Sequence, residues 1–189
     1  SIGRALSLAD KLDNLSATFL RGLIPTGSQD PFALRRQTIG AVNILTDGKI
    51  HWDIRRGIAK ALELLPGEQE VKDKVLSQVE DFFRQRIRAI LLDNGIAYDI
   101  IDAVLAGPVD DIYAIFLKAQ AMTESHLKEE ADLRQAVTRL ANITKGKTGG
   151  KVDPALFEED AEKNLEAALA KAMAAVEPLY REYRYADAL

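Results

Sequence analysis

Apolar positions along this chain recur at intervals of three and four residues, and that spacing predicts helices almost throughout. Leu8, Leu12, Leu15 and Phe19 mark one stripe of a first helix over about 2–21. The turn-rich segment GLIPTGSQD (22–30) breaks the pattern. Asp30 and Pro31 then read as the cap and first position of a second helix, which runs to about Leu45. Further helices are predicted at about 53–65, 68–92, 97–106, 109–122 and 124–145, with stops at Pro66-Gly67 and Asn94-Gly95. Asp153 and Pro154 read as the start of a last long helix carrying a kink at Pro178. No run alternates β-branched and polar residues as a strand does, so the predicted fold class is all-α, built of helical bundles. A domain boundary is expected near Gly107-Pro108, which divides the chain into 1–107 and 108–189. The helical pattern is already under way at the first residues and YADAL carries no stop signal, so the chain reads as a piece of a larger protein.

Composition then removes whole classes of chemistry. There is no Cys, which excludes disulfides, thiolate metal sites and thiol catalysis. The two histidines, His51 and His126, lie far apart and neither is followed by Asp. No apolar run reaches the ~20 residues of a membrane span, and SIGRALSLADK is not a signal peptide. Neither a membrane nor an oxidising compartment is expected, and the cytoplasm is the default. The net charge of −4 speaks weakly against nucleic acid, but phosphate contacts depend on a local patch rather than on the mean.

Such a patch exists. The window 134–151 holds Arg134, Arg139, Lys145, Lys147 and Lys151 and no acid, with acidic residues on both sides. On a helical wheel Leu133, Val137 and Leu140 form the expected buried stripe. Gln135, Thr138, Arg139 and Asn142 fall opposite, with donors suited to phosphates and base edges. A solvated face with a favourable basic C-terminus is the plain alternative. Arg84, Arg86 and Arg88 make a second basic cluster. Arg86 falls within the stripe of Val79, Phe83, Ile87 and Ile90, so a half-buried arginine with a carboxylate partner is expected there. Gly146-Lys147-Thr148 lacks the upstream glycine and preceding strand of a phosphate loop. Asp10 and Asp13 share a face, but no upstream histidine completes a metal site. Trp52 reads as packing, and Tyr180 and Tyr183 as packing against helices outside this chain.

Longer motifs carry a family resemblance. ADKLD at 9–13, followed by PTGSQDPFALRR at 25–36, resembles the segment that closes the HD-like domain of bacterial glycyl-tRNA synthetase β subunits. FFRQRIRAILLDNGIAYDIIDAVLA (82–106) is similar to the stretch that follows it. LRQAVTRLANITKG (133–146) and VDPALFEEDAEKNLEAAL (152–169) are similar to the anticodon-binding helical domain of that family. Two positions depart from the family pattern: Thr46-Asp47 stands where a basic residue is usual, and Ala136-Val137-Thr138 is less basic than its counterpart.

The resemblance implies the end of an HD-like helical domain over 1–107, followed by an incomplete anticodon-binding helical domain over 108–189. It implies part of a glycine–tRNA ligase, an α2β2 enzyme whose α subunit makes glycyl-adenylate with ATP and Mg while β holds tRNA-Gly. In that reading this chain carries no catalytic residue, metal site or cofactor. Its tRNA-binding residues are expected to be Arg139, Asn142, Lys145 and Lys147. Two other readings compete: a helical protein-interaction scaffold without a nucleic-acid role, and the remnant of a phosphohydrolase, which the missing histidine ligands disfavour.

Overall fold

The computed structural model describes residues 1–26, 29–125, 131–150 and 152–189, with only the backbone of 131–134. Gly27, Ser28, His126 and Lys151, and the side chains of Leu133 and Arg134, therefore lie outside the described residues. The fold is all-α, as the periodicity predicts. In chain order the α-helices are α1 (Ile2–Leu20), α2 (Leu34–Gly48), α3 (Ile54–Glu63), α4 (Gln69–Asp93) and α5 (Tyr98–Val104). Then come α6 (Ile112–Glu124), α7 (Ala131–Thr144), α8 (Asp160–Arg181) and α9 (Tyr185–Ala188). The chain divides into two compact units, 1–123 and 124–189.

In the first unit, α1 packs against α2, α3 and α4. Its stripe of Leu8, Leu12, Leu15 and Phe19 is buried as the spacing requires. The Phe19 ring meets Phe82 of α4 edge to face, centroids 5.3 Å apart. Leu34, Val42, Leu45, Ile54, Ile58, Val79, Phe83 and Ile87 complete a continuous core.

The boundary expected at Gly107-Pro108 does not divide the units. Val109, Ile112, Ile115 and Ala119 belong to the same core as α1 and α4. Polar bonds fix the segment as well. The Val109 amide donates to Glu80 Oε1 at 3.1 Å, and the Ile54 amide donates to the Asp110 carbonyl at 2.9 Å. A Gly-Pro pair reads locally as a break, but burial of the residues beyond it outweighs that signal.

Two helix starts also differ from expectation. Asp30 does cap α2, but from a distance: its carboxylate accepts from the amides of Leu34 at 2.8 Å and Arg35 at 3.0 Å. Ala33, at φ 54°, takes the left-handed turn that separates Pro31 from the helix. Asp153 caps only a short 3-10 turn, Pro154–Leu156, by accepting from the Ala155 amide at 3.0 Å. The long helix α8 starts later, at a capping box formed by Glu159 and Glu162. Pro178 lies inside α8, which continues to Arg181.

The second unit is built differently. Tyr185 is its one buried apolar residue among those described. Val137 and Leu140 on α7, two positions of the stripe expected to be buried, are 57% and 61% exposed, and Ile143 is 59% exposed beside them. Leu165, Leu169 and Met173 repeat the pattern on α8. The spacing correctly identifies amphipathic helices; it says nothing about whether an opposing surface is present. Tyr180 and Tyr183 do have partners within the chain. Both meet the Tyr185 ring edge to face, at 5.2 and 6.4 Å.

Candidate nucleic-acid interface

Helix α7 and the loop after it form the basic window. Gln135, Arg139 and Asn142 stand at i, i+4 and i+7, which places them on one face of the helix. All three are exposed, as are Lys145 and Lys147. The helix ends because Gly146, at φ 74°, adopts the left-handed conformation that glycine alone takes without strain. The Lys147 amide then donates to the Thr144 carbonyl at 2.9 Å, closing a turn that includes Lys145 and Lys147. Gly149 and Gly150 have open space where a side chain would stand, so another molecule can approach their backbone closely.

The electrostatics of this face differ from those of the other basic cluster. Among the described residues no carboxylate lies within ion-pair distance of Arg139, Lys145 or Lys147. On α4, by contrast, Arg84 binds Glu80 at 3.2 Å, the Gly107 carbonyl at 2.8 Å and the Leu105 carbonyl. Arg88 pairs with Asp102 at 2.5 Å. Arg88 thus ties α5 to α4, and Arg84 ties the chain after α5 to it. Their donors are occupied within the fold, whereas no carboxylate among the described residues engages Arg139, Lys145 or Lys147, which leaves these three to meet phosphate. Arg86 is half-buried as expected, but among the described residues it has no carboxylate within ion-pair distance. Its guanidinium instead lies 5.2 Å from the centre of the Phe82 ring.

Sequence spacing misses one polar pair. His51 Nδ1 lies 2.8 Å from Asp111 Oδ2, a residue sixty positions away in the chain, with the Tyr113 ring 4.9 Å from the imidazole. No local motif announces a pair separated so far in the chain. Asp111 Oδ1 also accepts from the Ala114 amide at 2.9 Å, so the aspartate caps α6 while it holds the histidine. The backbone bond between Ile54 and Asp110 lies beside it, which makes the pair a clasp between the entry to α3 and the entry to α6. Among the described residues no three His, Asp or Glu side chains converge as metal ligands do, and Asp10 and Asp13 are both exposed on α1. Trp52 lies over Gly57, where an added Cβ would come within 2.2 Å of the indole. Its role is packing.

Comparison with known proteins gives this helical scaffold a lineage. A family model described as the glycyl-tRNA synthetase beta subunit matches residues 1–106. Over 191 aligned residues the chain is 38% identical to the glycine–tRNA ligase beta subunit of Desulforamulus reducens, covering 99% of this chain and 28% of that protein. It is 36% identical over 188 residues to the corresponding subunit of Clostridioides difficile, covering 99% and 27%. With the subunit of Halalkalibacterium halodurans it shares 38% identity over 86% of its length. The chain thus spans little more than a quarter of the first two relatives, and α7 lies within the span aligned to them. The chain belongs to the glycyl-tRNA synthetase β-subunit family.

Proposed function

We propose that this chain is a tRNA-holding part of a glycine–tRNA ligase β subunit, and that the α7 face with its following loop meets the anticodon arm of tRNA-Gly. The carrying observation is the exposed donor face of Arg139, Asn142, Lys145 and Lys147, which no carboxylate engages among the described residues, in a chain of net charge −4. Lys145 and Lys147 act through phosphate, as point charges on flexible stems. Arg139 offers a planar fork for a phosphate or a base edge. Asn142 carries a donor and an acceptor together, which suits it to an unstacked base.

In this reading the first unit continues an HD-like helical domain and the second begins the anticodon-binding domain. The complete enzyme works in the cytoplasm as an α2β2 assembly. ATP is consumed, with Mg as its cofactor, at the α subunit's site, where glycyl-adenylate forms. The residues described here do not fit a metal, because no three acidic or imidazole ligands converge. In this reading the contribution of this chain is positioning. A preformed helical face holds one end of a long RNA, so that less of the binding energy is lost in ordering the protein.

A filter-binding assay of the chain with tRNA-Gly at two salt concentrations tests the reading. Binding that weakens steeply with salt, and more weakly so in Lys147→Ala, is the expected result. Binding that is absent or indifferent to salt would favour a protein-interaction scaffold.

A further inference from the structure

The second unit leaves apolar stripes uncovered on two consecutive α-helices. Val137, Leu140 and Ile143 on α7, and Leu165, Leu169 and Met173 on α8, are each more than half exposed. Ala168 and Ala172 stand three residues beyond Leu165 and Leu169 on the same face of α8, where small side chains let another helix approach closely. An amphipathic helix is stabilised mainly by covering its apolar face, so both stripes call for an occupant.

Three observations name it. First, α7 and α8 lie in the same compact unit, and only residues 145–159 separate them. A link so short holds the stripes at an effective concentration of about millimolar, which a second copy or a separate partner has to exceed. Second, the stripes match when the helices run antiparallel. Val137 to Ile143 rises ~9 Å and Leu165 to Met173 ~12 Å, so Ile143 falls opposite Leu165, Leu140 opposite Leu169 and Val137 near Met173. Third, the charges are complementary. Segment 134–150 contains no acid, whereas the first two turns of α8 hold Asp160, Glu162 and Glu166 against Lys163.

We propose that α7 closes on α8 of the same chain as an antiparallel helical hairpin, each stripe burying the other. The arrangement with both stripes exposed is then the open state of a two-state element. Glycines in the link supply the pivots: Gly146 already holds a φ of 74°, and Gly149 and Gly150 stand in open space. Closure uses the apolar side of α7 and leaves Gln135, Arg139 and Asn142 on its outer side. Ion pairs between exposed side chains are weak, so the acids that open α8 orient the two helices without withholding Lys145 and Lys147 from phosphate.

Cross-linking tests the closure, because the chain has no Cys and an introduced pair supplies the only thiols. L140C/L169C and V137C/M173C are oxidised in the full chain at micromolar concentration, far below the effective concentration that the link provides. Q135C/K171C, on the outer faces of the two helices, is the control. The expected product is a cross-linked monomer that forms about tenfold or more faster in both stripe pairs than in the control. A cross-linked dimer as the main product assigns the stripes to a second copy and overturns the proposal. Equal rates in all three pairs, or no cross-link in either stripe pair, overturn it too. Hydrogen exchange on the cysteine-free chain guards against a pair that disturbs the packing. L169D on α8 is expected to speed amide exchange in α7 by about tenfold or more, while K171A, on the opposite face of α8, leaves α7 unchanged. Exchange in α7 that L169D does not alter overturns the closure. None of these outcomes depends on whether the chain binds tRNA.

Discussion

At the scale of single residues, exposure separates the side chains that hold the fold from those available to a partner. Lys147 and Asn142 are exposed on the second unit, and their loss is expected to leave the melting temperature unchanged. Lys147→Ala is expected to weaken all tRNAs alike and to lower the slope of log K against log salt by ~0.7–0.9, the share of one phosphate contact. Asn142→Ala is expected to cost ~1–3 kcal/mol of the preference for tRNA-Gly over other tRNAs, if it reads a base directly. Competition binding with a non-cognate tRNA measures both, and a uniform loss for Asn142→Ala would reassign it to phosphate. Gly57 gives a stability test in the other unit. A Cβ there would meet Trp52 at 2.2 Å, so Gly57→Ala forces the indole aside. The expected destabilisation is ~1–3 kcal/mol, read by urea denaturation. An unchanged midpoint would show that the half-exposed indole moves without cost.

At the scale of elements, the long-range polar bonds decide what belongs together. Glu80 is nearly buried on α4, and it accepts from the Val109 amide and binds Arg84, which in turn holds the Leu105 and Gly107 carbonyls. Glu80→Ala leaves the Val109 amide and part of Arg84 without acceptors. A loss of ~1–3 kcal/mol is expected, with faster hydrogen exchange confined to the 105–112 segment. Exchange that rises evenly over the first unit would refute the clamp. The same bonds show what was legible beforehand. The stripe of Leu8, Leu12, Leu15 and Phe19 could be read from spacing because burial on a helix is periodic. The stop at Asn94-Gly95 could be read because Gly95 has a φ of 80°. The clamp of Arg84 and the clasp of His51 with Asp111 could not, since both join segments with no shared local pattern. The start of α2 failed for a different reason: Ala33 in a left-handed conformation is not a residue that sequence rules anticipate.

At the scale of the whole chain, the two units differ in how their helices are supported. The first has a continuous apolar core, while α7 and α8 of the second leave Leu140, Ile143, Leu165 and Leu169 largely exposed. Periodicity showed the amphipathic faces there without showing whether they are covered, because coverage is a property of the neighbour rather than of the helix. Native-state hydrogen exchange is expected to report lower opening free energies for α7 and α8 than for α4. Equal protection across the chain would contradict this division. The family assignment was legible from long motifs and not from physics alone, since periodicity and charge specify only a helical protein with one basic window. The four candidate tRNA contacts rest on that window and its position, and their effect on the complete enzyme is the decisive quantity. The direct measurement is the Michaelis constant for tRNA-Gly in the complete glycine–tRNA ligase proposed above, carrying Arg139→Ala, Asn142→Ala and Lys147→Ala together. A rise of about tenfold or more, corresponding to ~1.4 kcal/mol, with kcat at saturating tRNA preserved, is the predicted result. An unchanged Michaelis constant would contradict the account and place the tRNA against another surface.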